Sequence, residues 1–114
     1  MKYTLFAFYF FLISTILLNA SNTQSLPENI SQKALIGQNI FKKKLKRKCG
    51  FTAARFAQSH TQEEWKKLKD EGQFRIEVYK MCPKTVDVLQ DNWIDPLYEF
   101  SMVFASDSGI YPSC

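Results

Sequence analysis

Apolar positions in this chain form one continuous run near the N-terminus and several helical stripes after it. The run extends from Tyr3 to Leu18, preceded by Lys2 and followed by Asn19-Ala20 and five polar residues, Ser21 to Ser25. A basic residue, an apolar core and a small residue before a polar stretch is the order of a secretory signal. The run is shorter than the roughly 20 residues of a spanning helix, and Ser14 and Thr15 interrupt it. The pattern predicts a cleaved signal peptide over 1–20, a flexible leader over 21–30 containing Pro27, and one folded domain over 31–114. An uncleaved anchor is the alternative. No cysteine follows Ala20, which disfavours a lipoprotein anchor.

Within the domain, Ser31 is placed to cap a helix whose Leu35, Ile36, Ile40, Phe41, Lys44 and Leu45 recur at helical spacing, the apolar members sharing one face. Lysines and Arg47 load its last turn, where the helix dipole favours cations, and Gly50 closes it. Phe51 to His60 is either a loop or one short helix. Thr61 to Glu64 reads as a capping box opening a second helix that carries Trp65 and Leu68 and ends at Gly72. From Gln73 to Cys82 both strand alternation and a helical stripe fit. A lone strand would have no partner, so a helix stopped by Pro83 is expected. Lys84 to Asp91 is a linker with one possible turn. Asp95-Pro96 reads as a cap and first helical residue of a closing helix that presents Leu97, Phe100, Val103 and Phe104. Pro96 either starts this helix or kinks a longer one from Asp91. Asp107 to Cys114 is expected to be irregular. The sum is an all-α domain of three to four helices.

Charge sharpens this picture. Between Asn29 and Gln62 there are eight bases and no acid, and after Lys84 five acids and no base. Six of the bases, Lys42, Lys43, Lys44, Lys46, Arg47 and Lys48, fall within seven residues. Such a run fits an anionic membrane surface, where each base near the surface contributes about 1 kcal/mol, or an acidic protein partner. The rival expectation is that it pairs with Asp87, Asp91, Asp95 and Glu99, which recur every four residues. Nucleic acid is a poor partner for an exported, periplasmic or secreted, protein.

Export also decides the cysteines. Cys49, Cys82 and Cys114 all lie after the signal, in a compartment that favours disulfides. Three permits one internal bridge and one spare thiol, or a disulfide-linked dimer. In an up-down helix order Cys49 and Cys82 share one end of the bundle, so that pair is the expected bridge. No Cys-x-x-Cys occurs, which removes support for zinc-ribbon and thioredoxin readings. His60, the single histidine, has no His, Cys or acid at metal-ligand spacing and no hydrolase signature around it. No catalytic residue and no metal site are therefore assigned.

Two resemblances bear on function. Gly37, Ile40, Phe41 and Gly50 resemble the opening frame of class I cytochromes c, Gly-x-x-Ile-Phe followed by Cys-x-x-Cys-His-Gly. In that frame Leu45, Lys48 and Cys49 take the positions that attach haem, so no thioether can form. More broadly, the stretch from Gly37 to Trp65, the Cys82-Pro83 step and Leu97 to Cys114 resemble small exported proteins of epsilon-class proteobacteria. Those are commonly labelled cytochrome c while lacking a haem motif. The resemblance implies a cytochrome-c-like fold whose opening helix crosses the closing helix, Gly37 and Phe41 meeting the Leu97 to Phe104 face. The expectation is an exported binding or accessory protein near the respiratory membrane, with no enzyme activity and no cofactor. The alternatives are an electron carrier holding haem or metal non-covalently through Cys49, His60 or Met81, and a cysteine-based redox protein.

Overall fold

Ser31 starts the fold as expected. It is extended at φ −64°, ψ 145°, and its Oγ accepts the Ala34 N–H at 3.1 Å. The computed structural model describes residues 30–112, and the predicted signal peptide, most of the predicted leader and Cys114 lie outside them. Helix α1 (Gln32–Ile40) runs through a π-helical turn (Phe41–Leu45) into α2 (Lys46–Cys49), making one opening rod. Gly50 ends it in the left-handed region at φ 75°. Then follow α3 (Ala53–Ala57), α4 (Gln62–Asp70), α5 (Phe74–Met81), a 3₁₀ turn (Pro83–Thr85) and α6 (Asp91–Val103), with no strand among the described residues. With α1 and α2 counted as one rod there are five described helices rather than three to four. The additional one is α3, capped by Thr52, whose Oγ1 accepts the Arg55 N–H at 3.1 Å.

The rod does not bury the stripe its hydrophobicity suggests. Ala34, Gly37, Gln38, Phe41 and Leu45 are buried, whereas Leu35 and Ile40 are half-buried and Ile36 is 52 % exposed. The reason is steric. At Gly37 the rod meets the backbone of α6 so closely that a Cβ would collide with the Pro96 carbonyl and lie 2.8 Å from Phe100 Cβ. A helix must turn its smallest residues toward such a contact, so size overrides hydrophobicity in choosing the seam. The π turn then keeps the following residues in line. In an ideal α-helix each step of four residues drifts about 40° around the axis. One wider turn, closed by the Lys46 N–H donating to the Phe41 carbonyl, places Phe41 and Leu45 both at 0 % exposure.

Elsewhere local chemistry matches the sequence. The capping box of α4 is complete: Glu64 N–H to Thr61 Oγ1 at 3.2 Å, and Thr61 N–H to Glu64 Oε1 at 3.3 Å. Residues 74–81 are helical, with Phe74 and Val78 buried and Ile76 exposed. Of the two expectations for Pro96, the longer helix from Asp91 is the one observed. Pro96 therefore sits inside α6, Gln90 is its N-cap, and Asp95 caps nothing. Proline gives up the hydrogen bond to the carbonyl four residues earlier. Further support for the early start comes from Arg75, which pairs with Asp91 and donates to the Leu89 carbonyl at 3.3 Å.

Half of the buried core residues are aromatic. Neighbouring ring centroids run Phe51–Phe41–Phe56–Trp65–Phe74–Tyr98 at 5.9, 5.0, 5.4, 5.5 and 5.7 Å, a chain linking the rod's end to α6. Trp65 is fully buried and its Nε1–H donates to the Ala57 carbonyl at 2.9 Å, which satisfies the indole. Replacing Gly37 by alanine should cost about 3 kcal/mol or prevent folding, as overpacking against a rigid backbone does. Gly72→Ala, at φ 68° with open space around it, should cost about 1–2 kcal/mol from the left-handed backbone alone. Denaturant unfolding of both variants checks the order, and equal losses would contradict the close contact.

Candidate functional site

The cysteines fix one end of the bundle. Cys49 ends α2, Cys82 follows α5, and their Cα atoms lie 4.9 Å apart in a disulfide with sequence separation 33. The up-down argument for this pair therefore holds. Cys82 is 2 % exposed and Cys49 half-buried. Held in the bridge, Cys49 is not a thiolate. Leu45 is core and Lys48 is exposed.

The bases sit just before this bridge. Lys43, Lys44, Lys46, Arg47 and Lys48 are exposed and Lys42 is half-buried. Asp87, Asp91 and Asp95 are exposed too, so the acidic stripe exists as a surface feature. Its described partner is Arg75, at Asp91; no ion pair among the described residues joins Lys43, Lys44, Lys46, Arg47 or Lys48 to the stripe. Self-pairing of those five bases is thus not seen, and the positive charge faces outward. A shallow groove of about 470 Å³ opens beside them, lined by Lys42, Lys46, Arg47, Gly50, Phe51 and Thr52.

His60 occupies a different position, between two acids. Its Nδ1 lies 3.1 Å from Glu64 Oε2 and its Nε2 2.8 Å from Glu77 Oε1. The ring stands edge-on to Trp65 at 4.6 Å. One ring nitrogen faces Glu64 at the start of α4 and the other faces Glu77 on α5, so the side chain ties the two helices together. The two nitrogens point to opposite edges, so the three side chains do not converge on one ion, and no metal-holding group of three occurs among the described residues. Sequence spacing carried only the Glu64 half of this clamp, four residues on from His60, because Glu77 is 17 positions away and on another helix. The backbone supports it: the Ser106 N–H donates to the His60 carbonyl at 3.0 Å and the Gln62 N–H to Asp107 Oδ1 at 2.8 Å. The adjoining hollow, about 320 Å³, is lined by His60, Glu64, Lys67, Leu68 and Glu71. Met81 Sδ accepts from Ser59 Oγ at 3.6 Å. Cys49, His60 and Met81 are therefore each engaged with separate neighbours.

Protein-family models, curated proteins and solved structures were compared with the chain. None matches it. What distinguishes this surface is thus its own geometry: an outward basic face on a rod pinned at one end by a disulfide.

Two consequences are measurable. The hydrogen bond from His60, helped by the Thr61 backbone and hydroxyl, holds the Glu64 carboxyl below its ordinary 4.5. A depressed folded-state value stabilises the fold above the unfolded value and loses that contribution as pH falls through the folded one. Stability should therefore drop on acidification below about pH 4.5, and Glu64→Gln should flatten that part of the profile in pH-dependent unfolding. The disulfide closes a loop whose chain entropy is worth about 4 kcal/mol. Thermal melts of Cys49→Ser/Cys82→Ser should show a loss of that order. A loss confined to a few tenths would mean that packing alone holds the rod's end.

Proposed function

We propose that this protein is an exported helical binding protein, cytochrome-c-like in build and without covalent haem, that docks on an anionic membrane surface through its basic face. The observation carrying this reading is the outward position of Lys43, Lys44, Lys46, Arg47 and Lys48, unpaired with the acidic stripe. Docking is electrostatic and does not insert the rod. Its apolar residues Phe41 and Leu45 already cover the core, and no helix of the described residues is long and apolar enough to cross a membrane. A signal peptide at 1–20 would deliver the protein to the periplasm, where such a face meets the outer leaflet of the respiratory membrane. Leu45 and Lys48 in place of the two thioether cysteines, and Cys49 in place of the axial histidine, support an accessory role rather than electron transfer through attached haem.

The expected behaviour is salt-sensitive adsorption to anionic vesicles. The screening length falls from about 10 Å at 0.1 M salt to about 3 Å at 1 M, so bound protein should be released across that range. Replacing Lys42, Lys43, Lys46 and Lys48 by glutamine should abolish sedimentation with the vesicles at low salt. Unchanged binding by the variant, or none by the parent, contradicts the reading. Salt-sensitive retention of an acidic protein without vesicle binding would transfer the basic face to a protein partner.

A further inference from the structure

The groove beside the bases differs from a simple charged surface. Lys42, Lys46 and Arg47 line it from the rod, Gly50, Phe51 and Thr52 from the turn, and no acid lines it. Phe51 is half-buried, held 5.9 Å from the Phe41 ring, and the Arg55 guanidinium lies over its face at 5.9 Å. Gly50 adopts φ 75° and has open space where a side chain would stand. Immediately before it, the Cys49–Cys82 bridge fixes the backbone. The result is a prearranged recess that offers cations beside an apolar ring.

We propose that this groove binds the phosphodiester headgroup of an anionic phospholipid. Lys46 and Arg47 donate charge-assisted hydrogen bonds to the phosphate oxygens, Arg47 in the two-pronged manner open to a guanidinium. The Phe51 ring packs against the adjoining glycerol. That apolar wall is what favours a lipid over free phosphate, which would leave the ring exposed to water. The inference rests on the membrane-docking reading and adds to it a specific headgroup contact, so that part of the basic face recognises chemistry rather than charge alone.

The test uses the mature, disulfide-bonded chain and vesicles of a neutral galactolipid, which brings no phosphate of its own. One set carries phosphatidylglycerol, the other a sulfated glycolipid at equal surface potential. Two variants lose the same charge: Lys46→Gln/Arg47→Gln inside the groove and Lys43→Gln/Lys44→Gln outside it. The parent should bind phosphatidylglycerol vesicles about tenfold more tightly than sulfated ones, because a sulfated sugar keeps the anion for Lys46 and Arg47 but lacks the glycerol that packs on Phe51. The groove variant should lose that preference, whereas the outer variant should weaken binding to both vesicles alike and keep it. Equal effects of the two variants, or no preference in the parent, overturn the groove and leave docking intact. Absence of vesicle binding by the parent removes both readings together. Shifts of the Gly50, Phe51 and Thr52 amide signals with soluble glycerol 3-phosphate, without a lipid preference, overturn the lipid assignment in favour of a soluble phosphate ester.

Discussion

The contact between Gly37 and the Pro96 carbonyl governs the rest of this fold. Two helices approach there until backbone meets backbone, with no space for a single methyl group between them. That approach turns Ala34, Gly37 and Gln38 inward and leaves Ile36 in solvent. It also sets the rotation of the rod, and with it the direction in which every following residue points. Phe41 and Leu45 enter the aromatic chain that ends on α6 at Tyr98, so the same rotation that buries them sends the intervening bases outward. The π turn preserves this arrangement along a segment where ideal helical geometry would drift away from it.

A charged face with a fixed direction is then a consequence of packing. The exposed lysines have no described acidic partners on α6, although α6 carries an acidic stripe and packs against α1. Exposed ion pairs contribute at most about 1 kcal/mol, too little to redirect a rod held by a buried aromatic core and a disulfide. The charges remain segregated because nothing in the fold is strong enough to bring them together. Segregation of this kind gives the molecule a positive end.

Local chemistry made much of this legible in the sequence. Ser31, Thr61 with Glu64, and Gly50 act where their side chains or their lack of one demand. The Cys49–Cys82 bridge followed from helix order. Features that depend on distant partners were not legible. Ile36 looked like core because hydrophobicity says nothing of the Pro96 carbonyl that excludes it. The sequence left open whether the closing helix starts at Asp95-Pro96 or at Asp91, because the Arg75–Asp91 pair that anchors the earlier start joins separate elements. His60 seemed a lone imidazole at a cap, since Glu77 reaches it only after α4 and α5 have folded together.

We propose residues 42–52 as the face that meets an anionic bilayer, with the acidic side of the molecule in water. Hydrogen–deuterium exchange of the mature protein, with and without phosphatidylglycerol vesicles, tests it most directly. Exchange from Lys42 to Thr52 should slow on adding vesicles, and exchange from Asp87 to Glu99 should stay unchanged. Protection centred on α6, or no change between residues 42 and 52 in protein that has bound, would contradict it.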